Sequence, residues 1–158
     1  MDFSSFFNYP TGEVSPVSSQ DLVFLPNRSR RDWGKLLAHT ETLRFNKGDF
    51  VVRQADMERV FYLVTFGQFE ELLPQGRGQR SRRMAIIDQG SLIGVQTFLD
   101  GQGHPTDVRA LVEGEVVRLS FEAYEVLSAR EPELARAILL DLGRILSLRL
   151  RQQMSESK

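Results

Sequence analysis

The chain contains no cysteine. Disulfide staples, thiol nucleophiles and thiolate metal sites are excluded, and a reducing compartment, the cytoplasm, is the expected setting. Histidine is almost as scarce, with 2 in 158 residues. His39 and His104 have no clustered carboxylates beside them, so no metal site and no His-based catalytic constellation is expected. No apolar run approaches the roughly 20 residues that span a bilayer, which argues against membrane insertion. The start, Met1-Asp2-Phe3-Ser4-Ser5, has no basic residue and does not read as a secretory signal. Charge of one sign is missing too. A net charge of −1 gives no global field that would steer the chain to nucleic acid or an anionic surface.

What is present fits one domain with a sizeable core, at 41% apolar and 26% charged residues. Residues 1–28 are rich in Ser, Pro, Thr and Asn without period, and read as a loosely ordered N-terminal arm. Its Phe3, Phe6, Phe7 and Tyr9 either fold back on the domain or dock a partner protein. The first is preferred, because exposed aromatic patches are uncommon. Residues 29–120 read as a short helix around Trp33, Leu36 and Leu37, then short strands separated by turns. Val60 to Val64 is a run of β-formers expected to be buried on both faces. Arg77, Arg80, Arg82 and Arg83 crowd one hairpin and read as a solvated tip that resists edge pairing. Residues 121–158 are helical and belong to the same domain: one helix from Phe121 capped by Ser120, then a longer one opened by Pro132. Many short strands with terminal helices predict a mainly β fold, a sandwich or roll with flanking α.

The order of elements, with several motifs in sequence, resembles the cyclic-nucleotide-binding domain family from about residue 30 to 153. The marks are Lys47-Gly48-Asp49, Phe61-Tyr62-Leu63-Val64 followed by Gly67, Gly90, the stretch from Gly94, Arg109-Ala110-Leu111, and Leu119-Ser120. The resemblance implies a β-roll, or jelly roll, with a short N-terminal helix, a cassette helix and two C-terminal helices. It also implies a non-catalytic, regulatory role, hence no enzyme and no cofactor. In the family, a cassette of Gly-Glu, a short apolar helix and Arg-Ser/Ala-Ala-Thr/Ser holds ribose and phosphate. Laid on this chain, Gly94 meets the glycine and Thr97-Phe98-Leu99 the short helix. Val95 stands at the ribose glutamate and His104 at the phosphate arginine. Pro105 replaces the Ser/Ala and Asp107 the Thr/Ser.

The chemistry of those replacements is unfavourable to a cyclic phosphate. An unperturbed histidine is mostly neutral at pH 7 and lacks the guanidinium fork. Proline has no N–H to offer, Asp107 adds a like charge, and Val95 cannot accept a hydroxyl proton. The pocket candidates are therefore Gly94, Val95, Gln96, Thr97, His104, Pro105, Thr106 and Asp107, a near-neutral polar set suited to an uncharged or zwitterionic small molecule. Arg109 reads as solvated or loop-bridging, and Asp107 and Arg109 share a strand face on which they could pair. On the last helix Leu139, Leu142, Gly143, Leu146 and Leu150 either widen the face packed on the roll or are spaced for a partner helix; the second is preferred and predicts a homodimer. Related transcription factors continue into a helix-turn-helix domain; the chain ends at Lys158, so direct DNA binding is not expected. The first functional reading is a stand-alone sensory domain that does not bind cAMP or cGMP tightly. Two alternatives stay open: a ligand-free protein-interaction module, and a true cyclic-nucleotide receptor with an unusual cassette.

Overall fold

The computed structural model of the chain describes residues 17–18 and 20–156. The aromatic cluster Phe3, Phe6, Phe7 and Tyr9 lies outside the described residues. After α1 (Arg30–Leu37) come β1 (Glu41–Phe45), β2 (Phe50–Val52), β3 (Val60–Phe66), β4 (Phe69–Leu73), β5 (Arg82–Ile87) and β6 (Leu92–Ile93). The short helix α2 (Val95–Asp100) precedes β7 (Asp107–Ala110) and β8 (Gly114–Ser120), and α3 (Phe121–Arg130) and α4 (Pro132–Glu156) close the order. The strands pair antiparallel in two sheets of four, ordered β1-β8-β3-β6 and β2-β7-β4-β5. This is the expected mainly β roll with flanking helices.

Strand periodicity explains why there are two cores. Successive side chains on a strand point to opposite faces. On β3, Val60, Tyr62 and Val64 face the second sheet, where they meet Phe69, Ile87 and Val108, with Val116 of β8 on the same side. Phe61 and Leu63 face the other way, into a layer built with Val117 and Leu119 of β8 and with the helices. The run from Val60 to Val64 is thus buried on both faces, as read from its composition.

The helices start where local chemistry allows. Ser120 Oγ accepts from Ala123 N at 3.1 Å, capping α3, and Ser29 caps α1 in the same way. Pro132 opens α4, whose 25 residues extend about 37 Å at 1.5 Å per residue. Leu134, Ala135, Ile138, Leu142 and Ile145 of α4 are all in the helix-side core.

The described residues correct two expectations. The arm read as loosely ordered to residue 28 is part of the domain well before that point. Phe24 and Leu25 are core residues, and Leu25 N donates to the buried Asp141 carboxylate at 2.7 Å. Arg144 donates to Val23 O at 2.8 Å and to Asp21 O at 2.6 Å, and also pairs with Asp141. Residues 21–25 are thereby strapped to α4. The second correction concerns the expected dimer seam. Leu142 is 0% exposed inside its own chain's core, and Leu146 packs against that core. An apolar arc on a helical wheel does not tell which side of the arc the roll will cover.

Candidate functional site

The cassette helix α2 is set by its two glycine ends. Gly94 has φ +84° and Gly101 φ +70°. A side chain at Gly94 would be strained, and its Cβ would lie 2.8 Å from Val60 O and 3.2 Å from the His104 ring. The glycine therefore lets the chain turn from β6 into α2 with His104 packed beneath it. His104 itself is fixed by paired backbone bonds to the preceding loop: Ala55 N donates to His104 O, and His104 N to Asp56 O, each at 2.9 Å.

Between cassette, roll and α4 lies a cavity of about 280 Å³. Gly94, Val95, Gln96, His104, Pro105 and Thr106 line its cassette side. Val52, Glu71, Leu92, Ile93 and Val108 form its base, and Leu146, Arg149, Leu150 and Gln153 of α4 its roof. Six of the eight expected pocket residues are thus brought together. Thr97 and Asp107 are not among them. Thr97 is buried within α2 with no hydrogen-bond partner for its hydroxyl in the protein. Asp107 turns to another groove beside the β4–β5 loop, where it accepts from Gln54 N at 2.6 Å and faces Arg53 at 3.7 Å. It does not pair with Arg109. That arginine donates to the buried Glu70 at 2.6 Å, which Arg83 grips from the other side at 2.7 Å. One of the hairpin arginines is thereby an ion-pair partner of the sheet rather than purely solvated.

The electrostatics of the cavity keep the neutral histidine read in the sequence but add charges that reading did not place there. Burial holds the His104 imidazole below its ordinary value, against the pull of Asp56 and Glu58. The histidine is then neutral at pH 7, and Val95 beside it is buried and apolar. The charges of the lining sit elsewhere, on Glu71 and Arg149. Burial raises the Glu71 carboxyl, with Arg149 and a Thr106 hydrogen bond pulling the other way. Burial lowers the Arg149 guanidinium, opposed by Glu71. Arg149 Nη2 donates to Leu92 O at 2.5 Å.

Neither residue was singled out in the sequence, although each leaves a trace there. Glu71 shares the inward strand face with Phe69, two positions away. Arg149 stands seven residues after Leu142 and four after Ile145, at core spacing on α4. A charge at a core-spaced position is the signal that could have found both.

Behind the cavity, Phe98 of α2 contacts Phe61, Phe121 and Tyr124 at ring-centroid distances of 4.9, 5.5 and 5.7 Å. Arg59 binds the end of α2 through Phe98 O and Leu99 O, and lies 3.7 Å over the Phe121 ring. The contact between cassette helix and α3 is therefore made by Phe98, while Leu99 is 36% exposed. Among the described residues no cluster of His, Cys, Asp and Glu could hold a metal ion, and no helix is long and apolar enough to cross a membrane.

The pattern of the cyclic nucleotide-binding domain matches residues 42–131. With its β-roll, cassette helix and C-terminal helices, the chain belongs to the cyclic nucleotide-binding domain family, whose members are regulatory domains. It superposes on a cyclic nucleotide-binding domain from Methylobacillus flagellatus KT with a TM-score of 0.76 at 16% identity, over 87% of this chain and 81% of that one. The Thermus thermophilus catabolite activator protein gives a TM-score of 0.70 at 23% identity, over 81% of this chain and 58% of that one. In sequence the chain is 28% identical over 118 residues to patatin-like phospholipase domain-containing protein 6 of Pongo abelii, spanning 70% of this chain and 9% of that protein.

Proposed function

We propose that this chain is a sensory or regulatory domain, working in the cytoplasm, whose pocket does not hold cAMP or cGMP tightly. The observation that carries the reading is that neither anchoring position of the cassette carries a charge. Val95 and His104 stand where ribose and phosphate groups would be held, one apolar and the other neutral by burial, and Pro105 has no N–H to donate. A hydrogen bond to a charged group is worth about 1.5–3 kcal/mol, so two or three missing ones weaken binding by several orders of magnitude. Calorimetry with cAMP and cGMP at neutral pH tests this. No heat is expected at micromolar nucleotide, and a submicromolar Kd for either would refute it. Hydrogen exchange over residues 121 to 154 is expected to be unchanged by saturating cAMP. Protection there would mean that the cassette still reads the nucleotide.

We also propose that the chain pairs with a second copy through α4. The supporting feature is the outer face of that helix, where Leu139, Leu140 and Leu150 are 43, 72 and 58% exposed. Gly143 lies between them with open space above it. Leucines left in water along one helix face are satisfied by a like face.

A further inference from the structure

We infer that the cavity under α4 is a binding site for a small zwitterion of the α-amino-acid class, its carboxylate on Arg149 and its ammonium on Glu71. This rests on the reading above that the cassette has given up cyclic nucleotides.

The argument begins with charge. Arg149 and Glu71 are the charged side chains of the lining, one of each sign. They attract each other electrostatically, yet no ion pair among the described residues joins them. Among the described residues, the Arg149 side chain donates to Leu92 O alone. A guanidinium has five N–H donors in a fork that matches a carboxylate, so the rest of the fork is available to a ligand. A carboxylate accepts through two oxygens, so Glu71 can take an ammonium that faces it in the cavity.

Charge balance then selects among ligands. A cyclic nucleotide brings a phosphate, and with Glu71 that makes two negative charges against Arg149 alone, because His104 is neutral. A lone carboxylate would leave Glu71 uncompensated, and a lone amine would leave Arg149 so. Partly buried charges are tolerated when each has a partner. A zwitterion supplies both partners and adds no net charge. Leu146, Leu150, Val52 and Val95 offer it an apolar wall for a side chain.

The placement differs from the cassette geometry in one respect that matters. The cation is on α4, not on the strand after α2. A carboxylate bound there ties α4 to β4 directly, so binding favours whichever position of α4 keeps Arg149 opposite Glu71.

The experiment uses the full chain, labelled with nitrogen-15, and follows the amides of Gln96, Thr106, Leu150 and Gln153. The probes are the free α-amino acids, acetate, methylammonium, cAMP and cGMP, each at millimolar concentration. One or more amino acids should shift these amides saturably, while acetate and methylammonium bind about tenfold or more weakly. Glu71→Gln and Arg149→Gln should each lose about tenfold or more. Should either variant not fold, the comparison of amino acid with acetate and methylammonium on the wild-type chain still decides. No saturable shift with any amino acid, equal binding of acetate, or binding that survives both substitutions overturns the assignment. If neither amino acids nor nucleotides bind, the zwitterion assignment alone falls. If a nucleotide binds at submicromolar Kd, the reading of the cassette falls with it.

Discussion

His104 gives the site its own pH signature. Burial holds its folded-state value below the ordinary 6.5, so the unfolded chain takes up the proton first. Its contribution to stability is full above 6.5 and is lost as the pH falls through the depressed value. Glu71 has the opposite sign. Its raised carboxyl favours the folded state as the pH falls toward 4.5. His104→Gln is therefore expected to flatten the fall of Tm between pH 7 and 5, measured by thermal melts, whereas an unchanged slope would place the titration elsewhere. Gly94→Ala should cost on the order of 1–3 kcal/mol, because its Cβ meets a carbonyl oxygen at 2.8 Å on a backbone with φ +84°. A melt within a few tenths of wild type would contradict that. The cassette substitutions were legible in the sequence one residue at a time, since a family pattern supplied a place for each. Glu71 and Arg149 were not, because a pocket wall comes from segments far apart in the chain and only the folded arrangement brings them opposite each other.

Helix α4 shows the same limit in another form. Its position, start and cap-free proline opening follow from local pattern, and the two core faces of β3 follow from alternation. Which leucines face inward does not. A wide apolar arc fits a roll on one side and a partner helix on the other, and the two sides are adjacent on the wheel. Leu142 belongs to the inner side and Leu140 to the outer. Leu142→Ala should thus destabilise by about 2–5 kcal/mol, seen as a lower denaturation midpoint. Leu140→Glu should leave the melt close to wild type yet shift the chain to a monomer in sedimentation. A wild-type chain that is already monomeric at tens of micromolar would remove the pairing proposal, and so would a Leu140→Glu chain that stays dimeric.

At the scale of the molecule, the segment before α1 is tied to the last helix. Residues 21–25 cross to α4, where Asp141 and Arg144 bind their backbone, and Phe24 N donates to Gly90 O at the head of β6. No periodicity announces this strap, because it is irregular backbone held by side chains from more than a hundred residues away. Asp141→Asn keeps the acceptor for Leu25 but loses the charge that pairs with Arg144. It should cost about 1–2 kcal/mol, and Asp141→Ala more, since it leaves a buried N–H unpaired. Equal melts for the two would argue that the strap is held by burial of Phe24 alone. The strap also has an optical consequence. The chain's single tryptophan, Trp33, meets Phe24 edge-on at a ring-centroid distance of 5.9 Å. Any shift of α4 over its cavity must pull on Asp141, Arg144 and the segment that carries Phe24. Trp33 is then a fluorophore wired to the pocket, and its emission should change when α4 moves, with no label added.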